Sequence, residues 1–273
     1  MMKKTLALSP NALFGMVLIS VIVAAGVVGF FWTPWDPARI NILARLQAPG
    51  AEHWFGTDEY GRDVLSRLLL GASASITISV ITVCFSLAAG IVLGLISGYL
   101  RGVIDRVIMM ITDTLLAFPG ILLALGLLSI LGNNRYGIIL ALGLAYTPSV
   151  VRIVRGTVMG LREADFVAAS RVMGHSELAI LRRHVLPNCI APLIVLATSM
   201  LGWVLISESA LSFLGLGVPP PEPTWGNMLS ASRTYLSQAP WLALLPGASI
   251  SIALLGVNLL GDALRDYLDP RMQ

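Results

Sequence analysis

The amino-acid sequence predicts an all-α membrane protein with six transmembrane helices and one sizeable inner loop between the fourth and fifth. Of its 273 residues, 56% are hydrophobic and only 12% are charged, whereas soluble domains carry about 25% charged residues. The apolar residues also form several uncharged stretches long enough to cross a bilayer, which takes about 20 residues. We therefore predict a single transmembrane domain over residues 1–273.

The six predicted spans follow from the charge-poor windows, taken in chain order. The first begins after Lys3 and Lys4 and ends beside Trp32 and Trp35, which suit the aromatic belt of a membrane surface. We predict that it is retained rather than cleaved as a signal peptide, because small residues do not follow its apolar core. The six spans are expected near residues 12–31, 75–98, 107–131, 136–153, 188–211 and 241–261.

Six spans place both termini on one side, and the basic residues indicate which side that is. Twelve Lys and Arg residues fall in the segments on the side of the termini, and six fall on the other side. Because basic residues are enriched in cytoplasmic segments, we predict that both termini are cytoplasmic. Residues 154–187 then form a cytoplasmic loop.

Polar and proline residues interrupt the apolar windows in several places. Asp113 lies in the third span and Glu208 in the fifth. Such groups face a bundle interior or a water cavity, so each belongs either to a translocation pathway or to an interhelical hydrogen bond. Four prolines lie inside spans, where they either kink the helix or are accommodated by packing: Pro119, Pro148, Pro192 and Pro246.

Catalytic and cofactor-binding classes find no support in the sequence. No Gly-Lys pair occurs, so the chain has no phosphate-binding loop for ATP. The three histidines lack the spacing of a zinc site, and the basic residues form no stripe for nucleic acid. Cys84 and Cys189 lie in apolar segments and are expected to pack as small hydrophobic residues. We predict a non-enzymatic chain without metal or cofactor.

The inner loop reads as two short helices that meet at Gly174. Acidic residues at its start suit a helix N-terminus, and Gly174 supplies a helix stop. Ser176 is the expected N-cap of the second helix, and Pro187 opens the next span. A short helix with small side chains suits insertion into a groove on a partner protein. A plain connecting hairpin explains the same pattern equally well.

The outer segment before the second span contains Asp63 and Arg67, four residues apart. On a helix these two side chains could pair, which is worth a few tenths of a kcal/mol. We expect residues 56–67 to form an interfacial helix with a role in stability.

The inner loop resembles the EAA loop of ABC-importer permeases. Ala169, Gly174 and Leu186-Pro187 match that pattern, whereas Ala168 and Ser170 depart from it. Further segments resemble the dipeptide, oligopeptide and nickel branch of these permeases. They are His53 to Asp58, Gly61-Arg62-Asp63, Glu208 to Gly217, Trp225-Gly226, Asn258 to Asp262 and Leu268-Asp269-Pro270. Ser73 departs from the branch, which often has arginine there.

The resemblance implies the fold of a type I ABC importer permease in a bacterial inner membrane. It further implies a second permease subunit as a heterodimer partner, two ATP-binding subunits that hold ATP and magnesium, and an extracytoplasmic substrate-binding protein. The residues expected to couple the chain to the ATPases are Ala168, Ala169, Ser170, Gly174, His175, Leu186 and Pro187. Peptides are the expected solute, with nickel or a related small solute as the alternative.

A self-sufficient secondary transporter is the alternative function. It would need an internal repeat or a relay of ionisable groups within the spans, and neither is visible in the sequence.

Overall fold

The computed structural model describes residues 10–268, so Lys3, Lys4 and the predicted motif at Asp269-Pro270 lie outside the described residues. Over this range the chain is helical, with one isolated β-bridge between Thr57 and Asp63. The helices are α1 Pro10–Phe31, α2 Val64–Leu100, α3 Gly102–Leu116, α4 Gly120–Leu131, α5 Arg135–Arg162, α6 Asp165–Val172, α7 Glu177–Ile180, α8 Leu186–Phe213, α9 Trp225–Ala231 and α10 Trp241–Leu268.

Five helices within residues 10–268 are long and apolar enough to cross a membrane. They are α1, α2, α5, α10 and the continuous helix Glu177–Phe213, in which a π-helical turn, Leu181–Val185, joins α7 to α8. The pair α3 and α4 makes a sixth candidate span. This all-helical architecture confirms the predicted fold class.

The third span is the main departure from the prediction. A single helix was expected at residues 107–131, but α3 and α4 meet at an angle of 98°. Pro119 explains the break, because its ring lacks an N–H and restricts the preceding Phe118 to extended backbone. Pro148, Pro192 and Pro246, by contrast, lie inside continuous helices.

The helix bounds also extend beyond the charge-free windows. α2 starts at Val64 rather than near residue 75, because the Asp63 carboxylate caps it by accepting from Ser66 N at 2.7 Å. α5 continues to Arg162 rather than ending near residue 153. An uncharged window marks the apolar part of a helix, and a helix can continue into water where its charged side chains find partners.

The core is built on close packing between α2 and α5. Three glycines of α2, spaced four residues apart, each face a valine of α5. The pairs are Gly90 with Val150, Gly94 with Val154, and Gly98 with Val158. A Cβ added at Gly94 would lie 2.6 Å from Val154 Cβ, and one added at Gly98 would lie 2.8 Å from Val158 Cβ. Small residues thus let the two backbones approach closely, as is common between membrane helices.

The outer segment, residues 32–63, folds against the start of α2 through buried charges. The Arg62 guanidinium donates to Asp58 at 2.7 Å, and Arg67 lies 3.4 Å from the same carboxylate. His53 contacts Asp63 at 2.8 Å. Asp63 is therefore a helix cap and Arg67 pairs with Asp58, so the expected Asp63–Arg67 pair is wrong. Residues 56–63 form turns rather than the expected interfacial helix.

Candidate functional site: the inner loop and the polar groups of the spans

The helix α6 carries the first part of the inner loop. Val167 and Ser170 point into the protein and are buried, whereas Ala168 and Ala169 are exposed. The Ser170 hydroxyl donates to the Phe166 carbonyl at 2.9 Å, which satisfies it within the helix. The exposed part of α6 therefore includes the two small methyl groups of Ala168 and Ala169, which suit a helix that enters a groove.

Gly174 ends α6 in a Schellman motif. Gly174 N donates to the Arg171 carbonyl at 2.9 Å, and His175 N donates to the Ser170 carbonyl at 3.2 Å. Gly174 has φ +81°, in the left-handed region that suits glycine. An added Cβ would meet nothing within 4 Å, so the glycine is required by its backbone conformation rather than by a steric clash. The exposed His175 follows, its Nδ1 3.3 Å from the same Ser170 carbonyl.

The second helix of the loop begins at the predicted cap, with Ser176 Oγ accepting from Ala179 N at 3.4 Å. It does not stop at Pro187. The helix continues through the wider π-helical turn Leu181–Val185 into α8. Leu186 is half-buried there, and Pro187 is exposed. The wider turn accommodates Pro187, which has no N–H to donate to the preceding turn.

Two ion pairs connect the helices of the inner loop with each other and with the end of α2. Arg171 and Glu177 connect the two loop helices at 2.9 Å. Arg101, at the end of α2, reaches Glu163 at 2.8 Å, and this hydrogen bond lowers the pKa of Glu163. Both pairs are largely exposed, so each adds little stability by itself. Together with the buried Val167 they set the orientation of α6.

Exposed apolar side chains surround the two methyl groups of α6. Val172 is 89% exposed, Met173 68% and Leu178 74%. Large apolar side chains that face water on a short loop indicate a surface that a partner covers.

Glu208 lies in α8 and is fully buried. Its Oε1 accepts hydrogen bonds from Ser212 Oγ and from Thr224 Oγ1, both at 2.9 Å. Its Oε2 is buried without a hydrogen-bond partner among the described residues. Thr224 is the N-cap of α9, so the carboxylate joins α8 to the outer segment that follows it.

Asp113 lies in α3 and, unlike Glu208, is exposed. Its Oδ1 accepts a hydrogen bond from Arg152 Nη2 of α5 at 2.7 Å. Sequence reasoning assigned Arg152 only to the end of a span and missed this pair, because the partners are 39 residues apart. The contact joins α3 to α5 just before the break at Pro119.

Residues 10–268 contain no group of three His, Cys, Asp or Glu side chains that could hold a metal ion. The coupling residues and the two acidic residues are also well separated. Ala168 to His175 form one surface on the loop, Leu186 and Pro187 lie where the loop rejoins the spans, and Asp113 and Glu208 lie within helices.

Comparison with known proteins places this arrangement in context. Residues 90–273 match the family model described as binding-protein-dependent transport system inner membrane component. The chain is 42% identical to the dipeptide transport system permease protein DppC of Alkalihalophilus pseudofirmus, over 99% of this chain and 89% of that one. It is 39% identical to the di/tripeptide transport system permease protein DppC of Pseudomonas aeruginosa, over 99% and 91%.

A third relative is the glutathione transport system permease protein GsiD of Pectobacterium atrosepticum, which is 38% identical over 89% of this chain and 82% of that one. Among solved structures, an inward-facing form of the MetNI methionine ABC transporter aligns with a TM-score of 0.60 and 18% identity, covering 74% of this chain and 96% of that one. At that identity the structural match shows a shared fold.

Proposed function

The chain belongs to the family of binding-protein-dependent transport system inner membrane components and is a permease subunit of an ABC importer, and from that premise we propose that its solutes are di- and oligopeptides. The proposal is supported by the relatives described above, two of which are named for dipeptides or tripeptides and one for glutathione, itself a peptide. None of these three is named for nickel, so peptides are preferred to nickel or another small solute.

The exposed face of α6 at Ala168 and Ala169 is the proposed contact with an ATP-binding subunit. Ser170, which the sequence also predicted for this contact, is buried and faces the protein interior instead. The observation that carries this assignment is a small, exposed helix face with an apolar rim and a rigid anchor beneath it. The two methyl groups enter a groove, the side chains of Val172 and Met173 cover its edge, and Gly174 stops the helix before it would collide with the groove wall.

The proposed assembly contains a second, different permease subunit, two ATP-binding subunits and an extracytoplasmic substrate-binding protein. ATP and magnesium bind in the ATPase subunits, and this chain itself is not an enzyme. The two termini lie in the cytoplasm, as the unequal distribution of basic residues indicates. A self-sufficient secondary transporter is disfavoured, because members of this family are components of binding-protein-dependent systems.

Motion of α6 would reach the spans by two short routes. One passes through the Arg171–Glu177 pair into the continuous helix Glu177–Phe213. The other passes through the Glu163–Arg101 pair into α2. ATP drives transport by this arrangement only if the ATPases bind ATP better in one position of the loop than in the other.

Co-purification with the ATPase subunits tests the docking surface. A tagged wild-type chain should retain both ATPase subunits after detergent extraction, and Ala169→Trp should lose them because the indole cannot enter the groove. Ala169→Ser, which keeps the side chain small, is the matched control and should retain them. Equal retention of the ATPases by Ala169→Trp and the wild type would contradict the assignment.

Uptake measurements test the solute. Vesicles that contain the complete importer and its binding protein should accumulate a radiolabelled dipeptide when ATP is supplied. Accumulation of a nickel chelate without accumulation of dipeptides would overturn the peptide proposal and leave the family assignment intact.

A further inference from the structure

The break between α3 and α4 lies against α5. Asp113, near the end of α3, contacts Arg152, while Gly120, at the start of α4, lies beside Tyr146: a Cβ on Gly120 would be 4.0 Å from the Tyr146 ring. The Tyr146 hydroxyl is 2.7 Å from Ser207 Oγ, and its ring stacks with Trp203. Tyr146 and Arg152 of α5 therefore lie beside the break, one with an aromatic and the other with a charged side chain.

The Asp113–Arg152 pair is open to its surroundings. The two side chains are 56% and 58% exposed, and their contact at 2.7 Å is the one side-chain hydrogen bond that either makes among residues 10–268. The second carboxylate oxygen and most guanidinium donors thus have no hydrogen-bond partner within residues 10–268. Hydrocarbon tails cannot supply one, because charged groups in contact with hydrocarbon lose their hydration.

A neighbouring ion pair between α3 and α5 is, by contrast, largely buried. Asp105 accepts two hydrogen bonds from Arg155, at 2.6 and 2.8 Å, and a third from Ser97 Oγ. Its side chain is only 16% exposed, and that of Arg155 is 26% exposed. Asp105 and Arg155 are satisfied within the chain, whereas Asp113 and Arg152 need water or a polar solute to complete their hydrogen bonds.

An open strip on α5 connects the exposed pair with the cytoplasmic end of that helix. Gly156 and Gly160 follow Arg152 at intervals of four residues and so lie on the same face. A Cβ added at either glycine would meet nothing within 4 Å. Among the described residues, Arg152, Gly156 and Gly160 thus form an exposed strip along one face of α5.

We propose that Tyr146, Ser149 and Arg152 of α5, together with the α3–α4 break, line the water-filled passage, and that Asp113 and Arg152 contact the two charged ends of a zwitterionic solute there. The assignment of solute rests on the proposed function as a peptide importer. The carboxylate of Asp113 complements an ammonium group, and the guanidinium of Arg152 complements a carboxylate. The pair opens when the solute arrives and closes again after it leaves, so neither charge is left without a partner.

Water accessibility provides the first test. Ser149, half-buried between Tyr146 and Arg152, is replaced by Cys in a chain carrying Cys84→Ala and Cys189→Ala, and the complete importer is placed in inside-out vesicles. A membrane-impermeant maleimide should label Ser149→Cys at least about tenfold faster than Val21→Cys, because thiol reactivity follows access to water. Val21 lies on α1 and is 59% exposed. Equal rates would overturn the proposal, since they place residue 149 against lipid or in a dry subunit interface.

Protection from labelling tests the contact with solute. Millimolar dialanine should slow the labelling of Ser149→Cys, whereas acetylated dialanine amide, which has no charged ends, should not. Addition of Arg152→Gln should abolish the protection while leaving the labelling rate without dialanine fast. Equal protection by both compounds, or by neither, would overturn the charge contact. Dipeptide uptake by the same importer is measured in parallel, because its absence contradicts the proposed function rather than the position of the passage.

Discussion

Gly174 ends α6 in the structure, as the sequence predicts. Its left-handed backbone, rather than any neighbouring atom, requires glycine, and a β-branched residue in that conformation is strained by about 1–2 kcal/mol. We expect Gly174→Val to shift the end of α6 and to lower dipeptide uptake per ATP hydrolysed in reconstituted vesicles. Gly174→Asn is the control and should stay coupled, because asparagine tolerates this conformation. Normal coupling by the valine variant would contradict the docking role.

The buried Glu208 carboxylate leads to a prediction about stability. Its Oε1 accepts hydrogen bonds from the hydroxyl groups of Ser212 and Thr224. Removal of the carboxylate therefore leaves both hydroxyl groups without this acceptor. Glu208→Leu should destabilise the protein by about 1–3 kcal/mol and lower its midpoint of thermal unfolding in detergent. Glu208→Gln retains an acceptor oxygen and should unfold close to the wild-type temperature. If both variants unfold alike, the hydrogen bond from Thr224 to Glu208 does not hold α9 to α8.

Single residues were predictable from sequence where their effect is local. Gly174 as a helix stop and Ser176 as a cap depend on neighbouring backbone groups, and both occur as predicted. Arg152 as the partner of Asp113 and Thr224 as a partner of Glu208 were not predictable, because they come from distant parts of the chain.

At the scale of helices, the packing of α2 on α5 leads to a matched pair of alanine substitutions. A Cβ at position 94 would lie 2.6 Å from Val154 Cβ and 3.0 Å from the Val151 carbonyl oxygen, so Gly94→Ala must push the helices apart, at a cost of about 1–3 kcal/mol. Gly126 lies within α4, and a Cβ added there would meet nothing within 4 Å. Gly126→Ala should therefore be neutral or raise stability by up to about 1 kcal/mol. Thermal unfolding of both variants in the same detergent distinguishes the two sites, and an unchanged midpoint for Gly94→Ala would contradict the close packing.

Helix existence was well predicted, whereas helix ends and the broken span were not. An apolar window identifies where hydrocarbon can surround a helix, and this works for α1, α8 and α10. It does not identify a helix that continues beyond the membrane, as α5 does to Arg162. Pro119 marked the place of the α3–α4 break, but the angle depends on packing against α5, which no local pattern reports.

For the whole molecule, the predicted topology makes the two ends of the helical bundle accessible from opposite sides of the membrane. In a cysteine-free chain, Ala168→Cys should react with an impermeant maleimide in inside-out vesicles but not in intact spheroplasts. Trp54→Cys, in the outer segment and 68% exposed in the wild type, should show the reverse pattern. Labelling of position 168 from outside would overturn both the orientation of the chain and the proposed contact with the ATPases.

The continuous helix Glu177–Phe213 contains 37 residues, which corresponds to a rod about 55 Å long at 1.5 Å per residue. One end belongs to the inner loop, and Glu208 lies near the other. A tilt of about 5° about either end would displace the opposite tip by about 5 Å along such a rod. A small rotation at the end of this helix beside the ATPases would therefore become a displacement comparable to the width of a dipeptide at its opposite end. The hydrogen bonds within the helix would stay intact.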